Sequence, residues 1–113
     1  MLNGELESIV CDYYGTDIAT AMNKQVHTRK ATETRYFIWF FLRYYHKIPT
    51  IVLSEVYGFS KRSVSYGLSF IRSAISYQRE FHKKMSDLTS LLGYPETRPK
   101  ERTRMYVRRE TLI

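Results

Sequence analysis

The chain has few of the residues that interrupt or cross-link a polypeptide: 5 glycines, 3 prolines and one cysteine among 113 residues. With Cys11 alone, no disulfide can form within the chain, so folding does not require an oxidising compartment. Because glycine and proline are the main breakers of helices, their scarcity favours long helices over many short strands. The helical setting of Cys11 suits a small buried thiol rather than a reactive one.

Long apolar runs are also lacking. The longest, Tyr36 to Leu42, is far shorter than the ~20 residues that a helix needs to span a bilayer. The N-terminal sequence MLNGELESIV does not contain the basic segment of a secretory signal. We therefore expect a cytoplasmic protein that does not enter a membrane.

Basic residues outnumber acidic ones by 18 to 11, which gives a net charge of +7 and a pI near 9.6. Such an excess indicates a polyanionic partner, either nucleic acid or an anionic membrane surface. Apolar residues make up 43% of the chain, enough for one small core. We expect a helical domain over residues 1–93 and a flexible basic tail over residues 94–113.

Apolar residues recur at helical spacing along the chain, and this pattern predicts an all-α, compact bundle of five to six helices. Caps are expected at Thr16, at Thr32 or Thr34, at Thr50 and at Ser60. The first four predicted helices cover about residues 4–14, a short segment after Thr16, about 32–46, and 51–57. The fifth starts at residue 61 and either continues to Met85 or breaks near His82. In the second case a sixth helix follows and ends at Leu92. The segment from Lys24 to Thr32 is predicted to be a basic loop.

The most informative stretch is Ile48 to Ile71, IPTIVLSEVYGFSKRSVSYGLSFI. It predicts a short helix, a tight turn at Gly58 and a second helix, which is the layout of a helix-turn-helix over about Thr50–Ile75. In that motif the first turn of the second helix meets base edges in the DNA major groove. The residues expected to read bases are Lys61, Arg62, Ser63 and Tyr66. The other interpretation is a helical hairpin whose charged residues face water.

A second set of cations precedes this motif. Arg29 and Lys30 in the predicted loop can enter a minor groove, where arginine is attracted by the strong negative potential. Arg35 and Arg43 are eight residues apart, a little over two turns, so we expect them on nearly one face and in contact with phosphates. Ser60, at the cap of the second motif helix, is a further candidate for a backbone contact. An ordinary solvated surface is the competing interpretation.

The aromatic stretch YFIWFFLRYY has a helical spacing that is more typical of a core than of a platform for bases. The tyrosines expected to remain exposed are Tyr36, Tyr45, Tyr57 and Tyr66. From Tyr94 onward the composition becomes basic and poor in core residues, which predicts a mobile tail that attracts a polyanion. Its basic residues are Arg98, Lys100, Arg102, Arg104, Arg108 and Arg109.

Enzyme chemistry finds little support in the sequence. The three histidines are far apart, without the helical i, i+4 spacing of a metal site, and no glycine-rich phosphate loop is present. We expect no catalytic activity, no cofactor, no metal and no small-molecule substrate.

The order of the elements resembles the C-terminal DNA-binding domain of the bacterial chromosomal replication initiator DnaA, over about Ile9 to Leu92. The family's V-x-x-Y-Y is similar to the segment that begins at Val10, and its I-G-x-x-F-G to the segment that ends at Gly58. Its base-reading signature R-D-H-[S/T]-T-V falls on Phe59 to Val64. There this chain has Lys-Arg in place of Asp-His, so we expect it to recognise a DNA sequence different from the one that the family recognises.

The resemblance implies phosphate and groove contacts at Arg29, Arg35 and Arg43, and base reading at Arg62 in place of the family's histidine. Only eight residues precede the first matched position, so the resemblance implies a regulatory or accessory factor without the family's ATPase module. We therefore expect a sequence-specific double-stranded DNA-binding protein associated with the nucleoid. The alternatives are a protein-interaction module without groove contact and sequence-neutral binding of single strands or RNA through the tail. A homodimer or another protein partner is left open.

Overall fold

A computed structural model describes residues 2–94, and the regular structure in this range is entirely helical. The six helices are α1 (Gly4–Tyr14), α2 (Ile18–Ala21), α3 (Arg29–Tyr44), α4 (Thr50–Tyr57), α5 (Lys61–Tyr77) and α6 (Arg79–Leu92). The predicted all-α class with five to six helices is confirmed. In the described part of the chain, every helix is too short or too polar to cross a membrane.

Local sequence explains most of the helix ends. Asn3, Asp17, Thr28 and Ser60 each cap a helix by accepting a hydrogen bond from a backbone N–H three residues later. Gly58 ends α4 in the left-handed conformation, with φ of +72°. The capping of α5 by Ser60 is as predicted, whereas α2 is capped by Asp17 rather than by Thr16.

The third helix begins one turn earlier than the sequence predicts. We expected a start near Thr32, but Thr28 caps the helix and Arg29 is its first residue. The segment before Ala31 has no apolar period, so hydrophobic spacing gives no sign of this turn. As a result Arg29 and Lys30 lie on a helix rather than in a loop, and the predicted basic loop is wrong at its C-terminal end.

Three other boundaries also differ from the prediction. Thr50, the predicted cap of α4, is instead its first residue, and Pro49 before it makes no side-chain capping hydrogen bond. Helix α3 ends at Tyr44 rather than near His46. The break after α5 comes at Gln78, whose φ and ψ of −121° and 117° are extended, and not near His82. This break lets α6 turn back so that Phe81 packs against Phe37 and Phe70.

The central helix of the fold is α3, which contacts α1, α2 and α5. All six residues from Phe37 to Leu42 are buried, so the helix is apolar around most of its circumference. This confirms the interpretation of the aromatic stretch as core. Of the four tyrosines expected to be exposed, only Tyr66 is, while Tyr36, Tyr45 and Tyr57 are half-buried.

The turn between α4 and α5 is anchored to this core. The hydroxyl of Ser54 donates to the carbonyl of Phe59 at 2.5 Å, and the Phe59 amide donates to the Ser54 carbonyl at 3.1 Å. The Phe59 ring packs edge-on against Trp39 with 5.1 Å between centroids. The first turn of α5 is therefore held in a fixed position relative to α3.

Close packing between α3 and α5 depends on a glycine. Gly67 is buried on α5, and a Cβ built at this position would lie 2.6 Å from Cδ1 of Tyr36. Helix α5 therefore lies against the Tyr36 ring at a distance that only a residue without a side chain allows.

Candidate nucleic-acid interface

The first turn of α5 presents the predicted base-reading residues to solvent. Ser60, Lys61, Arg62 and Ser63 are all exposed, while Val64 behind them is fully buried and holds the helix on the core. The Ser60 hydroxyl accepts from the Ser63 amide at 3.1 Å. Within residues 2–94 the amides of Lys61 and Arg62 have no hydrogen-bond acceptor, as is usual for the first positions of a helix. Such a terminus attracts phosphate and other anions.

The side chains of Lys61 and Arg62 are not neutralised by any acid among residues 2–94. In the described part of the chain, ion pairs engage the cations Arg29, Lys83 and Lys84. Neither Lys61 nor Arg62 takes part in one, and neither side chain makes a hydrogen bond there. Their donors are therefore available to a ligand.

Acidic residues are nearly absent from the part of the sequence that contains α4 and α5. Between residues 34 and 79 the only acid is Glu55, and none lies on α5. The basic residues in the same interval are Arg35, Arg43, Lys47, Lys61, Arg62, Arg72 and Arg79. Because α1 and α2 with their caps carry four acids, the excess of basic residues falls in the segment that contains α5. This segregation is visible in the sequence, yet total net charge does not reveal it.

Tyr66 stands one turn beyond Arg62 on α5 and is 61% exposed. Its ring meets Tyr36 edge-on, with centroids 6.2 Å apart. Beside it runs an open groove of about 350 Å³ between α3, α5 and α6, whose walls include Tyr36, Tyr66, Phe70 and Phe81. Tyr66 can therefore face a ligand on α5 or one in this groove.

Arg29 is exposed, and its guanidinium bonds two carboxylates. Its Nε donates to Oε2 of Glu33 at 2.7 Å, and its Nη2 donates to Oε2 of Glu80 at 3.0 Å. The expectation of a minor-groove loop at Arg29 and Lys30 is corrected because both residues lie on the first turn of α3. Lys30 is exposed there and has no ion pair within residues 2–94.

Glu33 is the centre of this polar cluster and is 4% exposed. It accepts hydrogen bonds from the Tyr14 hydroxyl at 2.8 Å and from Lys84 Nζ at 2.9 Å, besides the one from Arg29. Burial alone would raise the pKa of Glu33, but these donors outweigh burial and keep the pKa below its usual value. The cluster connects α1, α3 and α6.

Arg35 does not reach the surface, and the expected phosphate contact is wrong. The residue is 6% exposed, and its Nε donates to the carbonyl of Ala21 at 2.7 Å. Its Nη2 donates to the carbonyls of Asn23 and Val26 at 3.1 and 3.2 Å. Arg35 therefore organises the connection between α2 and α3, and burial lowers its pKa.

Arg35 and Arg43 have different surroundings because eight residues turn a helix about 80° beyond two full turns. Arg43 is only half-buried, and its guanidinium lies over the Tyr44 ring at 5.5 Å from the centroid. In the described chain Arg43 has no ion pair, so it can still contact a phosphate.

Other chemistry is sparse in residues 2–94. No group of three or more histidine, cysteine, aspartate or glutamate residues there is arranged to hold a metal ion. Burial raises the pKa of the Cys11 thiol to about 11, so the residue is not a thiolate near neutral pH. The predicted tail contacts at Arg98, Lys100, Arg102, Arg104, Arg108 and Arg109 lie outside the described residues, as does nearly all of the predicted tail.

The resemblance to the replication-initiator domain rests on the motifs quoted from the sequence. No family model, no curated protein and no solved structure matches this chain.

Proposed function

We propose that this protein binds double-stranded DNA in a sequence-dependent manner, with the first turn of α5 in the major groove. One observation carries the proposal: on a helix without acidic residues, Lys61 and Arg62 are exposed and have no ion pair within residues 2–94, and their two amides lack acceptors in the same range. These are the donors that phosphates and base edges accept.

Each side chain of this turn has a chemical role in the proposal. Arg62 presents a planar fork that suits the O6 and N7 atoms of a guanine. Lys61, Ser60 and Ser63 suit phosphate oxygens, together with the free amides of the helix start. Tyr66, one turn farther along, contacts the edge or the backbone of the neighbouring base pair.

The arrangement of α4 and α5 supports this orientation. In a helix-turn-helix the first helix lies across the DNA backbone while the second enters the groove. Here the connecting residues 58–60 are fixed to the core through Ser54, Phe59 and Trp39. A rigid connection keeps the base-reading turn in place and reduces the conformational entropy lost on binding.

The test is a selection of binding sites from a randomised duplex pool with the full chain, followed by affinity measurements on the selected and on a random duplex. Arg62→Ala is expected to reduce the preference for the selected duplex by about 5- to 150-fold, because a good bidentate base contact contributes ~1–3 kcal/mol of discrimination. Lys83→Ala is the matched control. It removes the same charge from α6. Lys83 pairs with Asp87, which bonds Tyr13 of α1, so this position lies beside α1 rather than on α5.

The control variant is expected to keep the preference of the wild-type protein. If Arg62→Ala and the wild type discriminate equally between the two duplexes, Arg62 does not read bases. If the selection enriches no sequence, the protein binds DNA without sequence dependence or does not bind it.

A protein-interaction module is the second candidate function, and the aromatic groove beside Tyr66 is the observation that favours it. Exposed aromatic residues next to a groove are typical of sites where proteins bind. A salt titration of binding to random duplex separates the two functions. DNA binding through phosphates weakens steeply with salt because counterions are released, whereas a module without DNA contact gives no such dependence.

A further inference from the structure

Tyr44 brings together two arginines from different helices. The guanidinium of Arg43, on α3, lies over the Tyr44 ring at 5.5 Å from the centroid. At the hydroxyl end of the ring, Nη1 of Arg72, on α5, donates to the Tyr44 oxygen at 2.6 Å. One phenol thus contacts two guanidinium groups at the same surface position.

Neither charge is compensated within residues 2–94. No ion pair there includes Arg43 or Arg72, and no acid occurs in either helix after Glu33. Arg43 lies in the last turn of α3, where the helix dipole favours a cation. Arg72 is in the interior of α5 and has no such stabilisation. Two like charges held at one tyrosine form a site suited to an anion.

The position of Arg72 relative to the base-reading turn indicates which anion. Lys61 and Arg72 are eleven residues apart, close to three full turns, so they project from nearly the same side of α5. Their separation along the axis is about 16 Å. Because the major groove is about 12 Å wide, a helix whose first turn lies in the groove has Arg72 near the phosphates that border it.

We propose that Arg72, positioned by Tyr44 and accompanied by Arg43, is a phosphodiester-binding site for the DNA strand that borders the groove. The proposal rests on the proposed function and extends the DNA footprint from the first turn of α5 to its fourth. Arg72 binds the phosphate, and Tyr44 is a positioning residue. The phenol uses one N–H of the guanidinium and leaves the remaining donors for the phosphate oxygens.

The experiment measures the affinity of the full chain for the selected and for a random duplex over a range of salt concentrations. Arg72→Ala is expected to weaken binding to both duplexes by similar factors and to reduce the slope of log K against log salt by about 0.9, the value for one phosphate contact. Tyr44→Phe keeps both arginines, so it is expected to retain most of the slope while affinity falls about two- to tenfold from the loss of one positioning hydrogen bond.

Lys83→Ala removes an equal charge from α6 and is the control for non-specific electrostatics. If Arg72→Ala changes affinity and slope no more than Lys83→Ala does, Arg72 binds no phosphate and the inference is wrong. If Tyr44→Phe equals the wild type in affinity, the positioning role of Tyr44 is wrong. If the wild type itself shows no salt-dependent binding to duplex, the proposed function fails and this site fails with it. If only the result expected for Arg72→Ala is not observed, the proposed function remains intact.

Discussion

Arginine residues in this protein have roles that their positions in the sequence do not distinguish. In the part of the chain that the structure describes, Arg62 is exposed and has no ion pair, Arg29 bridges two glutamates and Arg35 is buried against backbone carbonyls. The exposure of Arg62 is predictable, because a capping serine and the inward period of Val64 and Leu68 place it on the outer face. The burial of Arg35 is not predictable, since it depends on where the connection between α2 and α3 places its carbonyl oxygens.

Replacing Arg35 tests its structural role. Arg35→Met removes the donors to three carbonyls while keeping the length of the side chain, so the free energy of unfolding is expected to fall by about 2–3 kcal/mol. Arg35→Lys is expected to recover only part of this loss, because a single ammonium cannot reproduce the fork of the guanidinium. Urea denaturation of both variants gives the measurement.

Lys30→Met is the matched control for Arg35, since it removes an exposed charge from the same helix and is expected to change stability by less than about 0.5 kcal/mol. If Arg35→Met is as stable as Lys30→Met, the three hydrogen bonds do not stabilise the connection between α2 and α3, and the structural role of Arg35 is wrong.

At the scale of the elements, local signals account for most of what can be predicted. The glycine at the end of α4 and the cap of α5 identify these elements correctly, because capping depends only on neighbouring residues. The early start of α3 and the break at Gln78 are missed. The latter depends on the contacts of Phe81 with Phe37 and Phe70, which are distant in the sequence.

The packing of α5 on α3 gives a prediction at Gly67. In an exposed helix, Gly→Ala would stabilise by up to about 1 kcal/mol. Here the added methyl group would overlap the Tyr36 ring, at 2.6 Å from Cδ1, so Gly67→Ala is expected to lower the free energy of unfolding by about 1–3 kcal/mol. Chemical denaturation measures the change.

Ser73→Ala, at an exposed position of the same helix, is the control for helix propensity and is expected to be neutral or slightly stabilising. A double-mutant cycle with Tyr36→Ala identifies the cause, because Gly67→Ala should cost less once the ring is removed. A Gly67→Ala protein more stable than the wild type would contradict the close contact between α3 and α5.

The cluster at Glu33 connects three helices, and its contribution to stability depends on pH. The pKa of Glu33 is lower in the folded protein than its ordinary value of about 4.5, so the folded state favours the ionised form. Its stabilisation is therefore complete above that value and is lost as the pH falls through the lower pKa of the folded state. Glu33→Gln is expected to be about 2 kcal/mol less stable than the wild type at pH 7.

The difference between the wild type and Glu33→Gln should narrow as the pH is lowered below about 4.5, which denaturation curves at several pH values can measure. Glu55→Gln, at an exposed position of α4, is the control and is expected to differ from the wild type by less than about 0.5 kcal/mol. A constant difference between pH 7 and pH 3 would show that the charge of Glu33 is not what the cluster stabilises.

At the scale of the whole molecule, charge is separated along the chain. The acids of α1 and the Asp17 cap of α2 lie far in the sequence from the acid-free helix α5, so the net charge of +7 does not reveal the excess of basic residues in the segment that contains Lys61 and Arg62. Composition alone predicts a polyanionic partner. The structure is needed to find that Arg72 and Arg43 meet at Tyr44, because these residues come from two helices that pack only in the folded protein.

The most direct test of the central claim is an amide chemical-shift map of the full chain during titration with duplex DNA. We predict that the largest changes fall on residues 60–66 at the start of α5, with smaller ones near Arg43 and Arg72. Little change is expected on α1. Changes confined to residues 95–113, or to the groove between α3 and α6 without the first turn of α5, would contradict the account.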